Sequence, residues 1–448
     1  MKILLLNLPV HTPTVMPYSL TMMKSVLKAS INEDISALDL NAKYHHHFFN
    51  DLYKRLEEKE DYFSLLNEFM KKTRNHYPQI SKSAITGEKP EGHDFLMNKI
   101  LESKPDVVAI SIVYNSQAFF AKGIIDNLTK NGIKVVIGGP AYLEKIKTNA
   151  IKLDNYSQLI SYLVENGADE KKEMDEVILD FNDYNKNHYF TKDIIYPIRT
   201  SSSCPYKKCA FCTHHGNIKY EEYDLSYLKK TIQKNNIKKS CYIDDDLTNP
   251  RLEKISNILM NLEVKWWCQL RPLPQIMKIL PKLKKSGLHS VAWGIESGNQ
   301  RILDYMKKGT NTDDIKKVIT KSSELGIKNT VYIMFGFLSE TESEFIDTIK
   351  FLEENSNYID LISPAVFGLQ DGSPAYSSPN EYGIKNIHLE KRTLLGDKIE
   401  YDISKGLDQK QASKLKKKYN GTMYKINKVP KIINSCKEQI LNYDSLNI

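Results

Sequence analysis

Three cysteines, Cys204, Cys209 and Cys212 in the stretch TSSSCPYKKCAFCTHH (residues 200–215), carry the spacing in this chain best suited to metal chemistry. With four residues in the first gap and two in the second, one short loop can turn three thiolates toward one point, as soft ligands for iron, sulfide or zinc must. Three thiolates on a cuboidal 4Fe-4S cluster leave one iron open to a small molecule. A structural zinc ion is instead closed by a fourth ligand, which His214 or His215 would supply. Lys207, Lys208 and the neighbouring serines make the loop polar, which argues against these thiols serving only as packing.

The elements around this loop repeat. From Ile194 onward a strand and a helix alternate six times, with strands at IIYPIR (194–199), SCYI (240–243), VKWWCQL (264–270), HSVAWGI (289–295), NTVYIMFG (329–336) and IDLISPAVF (359–367). Amphipathic stretches such as residues 251–262, 274–286 and 340–353 separate them. Six such units predict an open, partial barrel of parallel strands. The cysteine loop, Asp244-Asp245-Asp246, Arg271-Pro272, Glu296-Ser297-Gly298 and Gly336 with Glu340 all follow strands, which puts them on the carboxyl rim where barrel enzymes build their sites. Asp246 alone is equally readable as a helix cap. Cys241 and Cys268 lie within strands and are expected in the core.

The first half is doubly wound. KILLLNLP (2–9), ISALDLN (35–41), DVVAISIV (106–113) and IKVVIGGP (133–140) are apolar strands of the kind a parallel sheet buried on both faces requires. A helix over residues 117–130 and an insert of helices over about 42–100 interrupt them. His45, His46 and His47 at the start of that insert read as a surface run, because consecutive residues on a helix do not face one point. Gly138 and Gly139 end a strand where a ligand's close approach, or turn chemistry alone, would favour glycine. No Gly-x-Gly-x-x-Gly follows the first strand, so a dinucleotide is not implied.

The domain plan is therefore a Rossmann-like α/β domain over 1–178, a linker at 179–193, a partial (β/α)6 barrel over 194–375 and a small helical region over 376–448. In that last region Ala412, Leu415, Met423 and Ile426 offer apolar contacts, and it either covers the barrel mouth or grips substrate. The formal charge of +8 in 448 residues comes from lysines spread along the whole sequence, and no nucleic-acid reader motif accompanies it. Six cysteines, three of them clustered, argue for a reducing, cytoplasmic setting rather than a disulfide framework. The start, MKILLLNLPVHTP, reads as a first strand and not as a signal peptide. No apolar stretch has the length to cross a bilayer.

CPYKKCAFC (204–212), YIDDD (242–246), QLRP (269–272), WGIESGNQRILDYMKKGT (293–310) and FGFLSET (335–341) together resemble the radical S-adenosylmethionine enzyme superfamily. The common family pattern has three residues in the first cysteine gap. The four found here are similar to variant loops of cobalamin-linked members that modify peptides and natural products. FLSET departs from the usual Pro-Gly-Glu-Thr ending. The four N-terminal strands resemble, in order and spacing, the cobalamin-binding domain that precedes the barrel in one branch.

This resemblance implies that Cys204, Cys209 and Cys212 hold a 4Fe-4S cluster whose free iron chelates S-adenosylmethionine. It places Phe211, Gly336 and Phe337 on the adenine side, Glu296 and Ser297 by the amino acid or ribose part, and Arg271 as a carboxylate clamp. Ser111, Gly138 and Gly139 match positions lining the nucleotide tail of cobalamin. The histidine-ligating Asp-x-His-x-x-Gly pattern is absent, with His11 nearby in a different setting, so the domain either holds cobalamin without a protein histidine or keeps the fold without the cofactor. The implied chemistry is a 5'-deoxyadenosyl radical driving cobalamin-dependent methylation of a peptide or other natural-product precursor, with a reductant such as flavodoxin or ferredoxin. The same radical without methyl transfer, in oxidation, cross-linking or epimerisation, is the alternative enzyme. A zinc-closed binding protein whose lysines meet an acidic polymer is the alternative of another class.

Overall fold

A computed structural model describes residues 1–141, 148–215 and 218–443 of the chain. They form two compact units. The first comprises Met1–Ile194 with Ser226–Asn236 and Lys391–Asp397, and the second the remainder.

In the first unit β1 (Lys2–Asn7), β2 (Asp34–Asp39), β3 (Val107–Ser111), β4 (Lys134–Gly138) and the short β5 (Ile151–Lys152) form a parallel sheet in the order β2-β1-β3-β4-β5. Ile3 pairs in register with Ile35 on one side and Val107 on the other. Strand β3 is buried at every position, and β1 at all but its first, which is why both read as unbroken apolar runs rather than alternations. The order reverses between β1 and β3, and the carboxyl ends of such a pair make a crevice.

The insert holds four helices, Leu40–Phe48, Asn50–Glu57, Tyr62–Thr86 and His93–Leu101. Asp39 caps the first by accepting from Ala42 N at 3.1 Å. The expected surface run of histidines is corrected at one position. His45 is fully buried, donating from Nδ1 to the Asn41 carbonyl and accepting at Nε2 from the Tyr77 hydroxyl, both at 2.7 Å. The helical period turns His45 inward and leaves His47 exposed. Residues 179–193, expected as a linker, are tied into this unit. Phe190 stacks on Phe69 at 4.4 Å, Tyr189 donates to Asp39 at 2.8 Å and Asp183 accepts from Ala37 N at 2.8 Å.

The second unit is built on β6 (Tyr196–Ile198), β9 (Lys239–Tyr242), β10 (Lys265–Leu270), β11 (Leu288–Glu296), β12 (Lys328–Phe335) and β13 (Leu361–Val366), all parallel and in chain order across the sheet. Between β6 and β9 a two-residue pair, β7 (Ser201–Ser202) with β8 (Glu221–Glu222), closes the base of the cysteine loop. Cys241 and Cys268 are buried within β9 and β10, as the strand pattern requires. The C-terminal region contains more than helix. An antiparallel hairpin of β14 (Ile384–Glu390) and β15 (Lys398–Ile403) precedes the helix Gln409–Ile426. The alternation in IKNIHLE and KIEYDI is the period-two signal that the helical expectation passed over. Ala412 and Met423 of the final helix are buried. Among the described residues, no helix is long and apolar enough to cross a membrane.

Candidate active site at the cysteine loop

The loop that carries the cysteines leaves β6, and the three aspartates that follow β9 hold its start. Asp244 is buried and accepts from Thr200 N at 2.9 Å, and from Ser201 N and Ser201 Oγ at 2.6 Å each. Asp245 stands between Arg199 Nη2 at 3.0 Å and His214 Nε2 at 3.2 Å. Asp246 accepts from Arg271 N at 3.2 Å and Nε at 3.0 Å. The helix Asn249–Leu259 is capped by Thr248 instead, so the acidic run shapes the loop and Asp246 is no helix cap. Arg251, buried at the start of that helix, adds a donor to the Thr200 carbonyl.

The far side of the loop is fastened to the stretch after β11. Ala210 N donates to Met306 O at 2.8 Å, and Tyr206 donates to Lys307 O at 2.9 Å. Gly309 has φ +69°, and a Cβ there would stand 2.2 Å from the Tyr206 hydroxyl. Glycine is thus required by both backbone and contact. Arg271 lies over the Tyr206 ring at 3.7 Å. Within the loop, Ser203 and Lys207 adopt positive φ, at +53° and +49°, and such residues cluster where a structure imposes a special geometry.

The three thiols are partly buried, and burial is the main influence on each. It raises Cys204 and Cys212 above the ordinary thiol value and pushes Cys209 up to about 11. Backbone N–H groups of Lys207 and Tyr206 oppose this at Cys204 and that of His214 at Cys212, and cations add to them, although Asp246 outweighs Arg271 at Cys204. Lys308 acts on Cys209 and Cys212, and Arg271 on Cys204. Lys308 is itself buried and donates to Glu296 at 2.9 Å. Burial alone would lower its ammonium, but Glu296 first and Cys209 next hold it above the usual lysine value. The lysine was not singled out from the sequence, where KKGT reads as solvated surface, and neither were Tyr206 and Gly309. The proximity of 306–309 to the loop is the information the sequence lacks.

The other expected residues divide. Glu296 sits at the end of β11 with φ +70° and faces the cysteine loop through Lys308. Phe211 lies 6.4 Å from Phe337, edge to face, and Lys308 Nζ is 5.7 Å from the Phe211 ring. Phe337 is fully buried among Ile302, Met306, Phe367 and Tyr382. Ser297 is committed to the helix Glu342–Glu354, its Oγ 3.1 Å from Thr348 Oγ1. Gly336 has φ +70°, and a Cβ there would meet Ala412 Cβ at 2.5 Å, so the final helix accounts for this glycine. Arg271, expected as a free clamp, is already paired with Asp246. The side chain of His215 lies outside the described residues. A cavity of about 420 Å³ opens beside the loop, lined by Tyr206, Lys208, Asp246, Arg271, Leu273 and Gln275 among others.

In the first unit Ser111 is buried and donates to Ser19 Oγ at 3.1 Å. A Cβ on Gly139, at φ +117°, would stand 2.2 Å from Ile112 O, and one on Gly138 would stand 2.9 Å from Leu153 O. The chain's own backbone therefore explains both glycines. The loop after β4 runs into residues 142–147, outside the described residues. His11 follows β1, its ring 4.6 Å from Tyr114, and its buried Nδ1 finds no hydrogen-bond partner among the described residues.

Residues 198–352 match the family model of the Radical SAM superfamily. Over 172 residues the chain is 26% identical to an uncharacterized methyltransferase of Pyrococcus horikoshii, covering 35% of this chain and 36% of that protein. A putative methylthiotransferase of Methanocaldococcus jannaschii is 32% identical over 103 residues, 22% of each chain. The chain thus spans about a third or less of the length of these curated relatives. Among solved structures, the radical S-adenosylmethionine methyltransferase TsrM from Kitasatospora setae, with cobalamin and a 4Fe-4S cluster bound, aligns with TM-score 0.57 and 14% identity over 88% of this chain and 82% of its own. The cobalamin-dependent radical enzyme OxsB, with aqua-cobalamin bound, aligns with TM-score 0.63 and 14% identity over 94% and 68%. At that identity the likeness is one of fold, and it extends across both units. The cysteine loop and strands β9 to β12 of the open sheet lie within residues 198–352, the span that matches the Radical SAM superfamily model.

Proposed function

We propose that this chain is a radical S-adenosylmethionine enzyme that holds a 4Fe-4S cluster on Cys204, Cys209 and Cys212, binds cobalamin in its first unit and methylates carbon in a peptide or natural-product precursor. The observation that carries the reading is the clamped cysteine loop with Lys308 and Arg271 beside its thiols. When bound, such a cluster and cobalamin supply a 5'-deoxyadenosyl radical from S-adenosylmethionine and a methyl group for transfer.

The donor set suits an anionic thiolate cluster. Three deprotonated thiols in a partly buried site need compensating charge; Lys308 and Arg271, each shared with a carboxylate, and the backbone N–H groups of Tyr206, Lys207 and His214 supply part of it. Asp244 and Asp245 hold the approach to the first cysteine, while Tyr206 and Gly309 hold the turn after it. The Phe211 ring, packed edge to face against the buried Phe337, gives the loop an apolar side next to its last cysteine. Arg271 orients a substrate or cofactor carboxylate only by sharing itself with Asp246, so it acts as a positioning group for the Tyr206 turn. In the first unit the buried Nδ1 of His11 at the carboxyl end of β1, without a hydrogen-bond partner among the described residues, suits a polar cofactor. A small flavodoxin or ferredoxin as electron donor and a cytoplasmic setting belong to the same reading.

The test is made on anaerobically reconstituted protein given S-adenosylmethionine, reductant and cobalamin. Four irons with matching sulfide, retained corrinoid and 5'-deoxyadenosine that disappears in Cys209→Ala support the proposal. Cluster and deoxyadenosine without corrinoid reduce it to a radical modification without methyl transfer. Stoichiometric zinc without iron overturns both.

A further inference from the structure

We propose that the inserted helices of the first unit form a binding pocket for a phosphate group, built from Lys43, His46, His47, Lys99 and His188. The cavity measures about 500 Å³ and is completed by Asn50 and Phe95. All of these residues belong to the first unit, so the inference stands apart from the cysteine loop and from the reading given to it.

The chemistry of the lining is one-sided. Two lysines and three histidines face one hollow, and no carboxylate lines it. Three separate segments bring them there: the helix Leu40–Phe48 supplies Lys43, His46 and His47, the helix His93–Leu101 supplies Lys99, and residues 186–188 supply His188. The His46 and His188 rings are 4.5 Å apart. His47 stacks on Phe95 at 4.3 Å with an interplanar angle of 12°, which orients the imidazole at the edge of the hollow.

The charges around the histidines are accounted for. His46 is faced by Lys43 and His47 on its own helix, by Glu57 and the Tyr53 ring on the next, and by His188. His188 is faced by His46 and Lys43, and its Nε2 stands 3.3 Å from Asn185 Nδ2. Burial first, and then these cationic neighbours, hold His188 down at about 4 and His46 below the ordinary histidine value. Burial thus keeps the pair neutral near pH 7, against the opposing effect of Glu57 on His46. Lys99 meets Glu102 at 2.8 Å, an exposed pair three residues apart on the same helix, and such pairs are weak enough to leave its ammonium available.

A phosphate answers this arrangement. It brings the missing negative charge and several acceptor oxygens to donors that have no acceptor of their own in the hollow. A metal ion does not, since two lysines oppose it and no carboxylate lines the hollow to offset its charge.

The test titrates the full-length protein with inorganic phosphate and with AMP by calorimetry in low-salt buffer at pH 6.5, and follows histidine ring signals by NMR on 13C-histidine-labelled protein. Saturable binding is expected, with the His46 and His188 titrations both moving upward. Lys43→Gln and His188→Asn should each weaken binding about tenfold with an unchanged thermal midpoint. Equal affinity for the two probes means the pocket reads the phosphate alone. Tighter AMP binding means the nucleoside also lodges there, and both results support the site. If His188→Asn does not fold, Lys99→Gln carries the same test from the pocket's edge. Absence of saturable binding of either probe, or binding unaltered in the variants, overturns the proposal.

Discussion

Lys308 donates from its ammonium to Glu296 at 2.9 Å, and both side chains are buried at the end of β11. Removing one partner of a buried pair strands the other's charge. Lys308→Met should therefore destabilise the protein by about 3–5 kcal/mol, whereas the double change Lys308→Met with Glu296→Leu should recover most of that loss. Urea unfolding of the two variants against the parent measures it. Equal stability of Lys308→Met and the parent would show that the pair is not buried in solution.

Gly309 should tolerate no side chain. Its positive φ alone would cost alanine at least about 1 kcal/mol, and the Cβ would strike the Tyr206 hydroxyl. Gly309→Ala is expected to lower iron retention after reconstitution while leaving the far-ultraviolet circular dichroism of the sheets unchanged. Tyr206→Phe combined with it removes the struck atom and should restore part of the retention.

His45 makes the fold acid-sensitive. Burial, more than any neighbour, lowers it to about 4, while an unfolded chain protonates its histidines near 6.5. The unfolded state then binds more protons, so stability is complete above pH 6.5 and falls as pH drops toward 4. The contribution reaches about 3 kcal/mol. His45→Gln should flatten the dependence of unfolding free energy on pH in that window by close to one proton.

Glu340 acts with the opposite sign. It is fully buried, accepts from Gly336 N and is pushed up to about 8 by burial. Its folded form keeps a proton that the unfolded chain loses near pH 4.5, so stability declines as pH rises from there to about 8. Glu340→Gln, which retains an acceptor for Gly336, should remove that decline and be the more stable protein at pH 8. Parallel decline in parent and variant would show that Glu340 is ionised in the fold.

The sequence by itself determined most of the architecture and singled out the cysteine loop as the candidate site. Parallel strands covered on both faces must be apolar along their length, so β1, β3, β4 and the six strands of the second unit stand out within a residue or two of their ends. Cysteine spacing is local, so a loop of nine residues is legible as a candidate ligand set, while Asp244, Met306 and Lys307, which hold that loop, come from elsewhere in the chain. What only the tertiary structure decided is which charged residues are buried and whom they meet. Lys308 reads like any other lysine until β11 and the cysteine loop enclose it, and Arg271 reads as a free clamp until Asp246 takes it. Asp244, Asp245 and Asp246 look alike in a row, yet each faces a different partner. Gly139 and Gly336 looked like places for a ligand, and the backbone of Ile112 and the side chain of Ala412 occupy those approaches. Burial and long-range pairing depend on segments as far apart as Tyr206 and Lys307, 101 residues along the chain, and no local pattern encodes them.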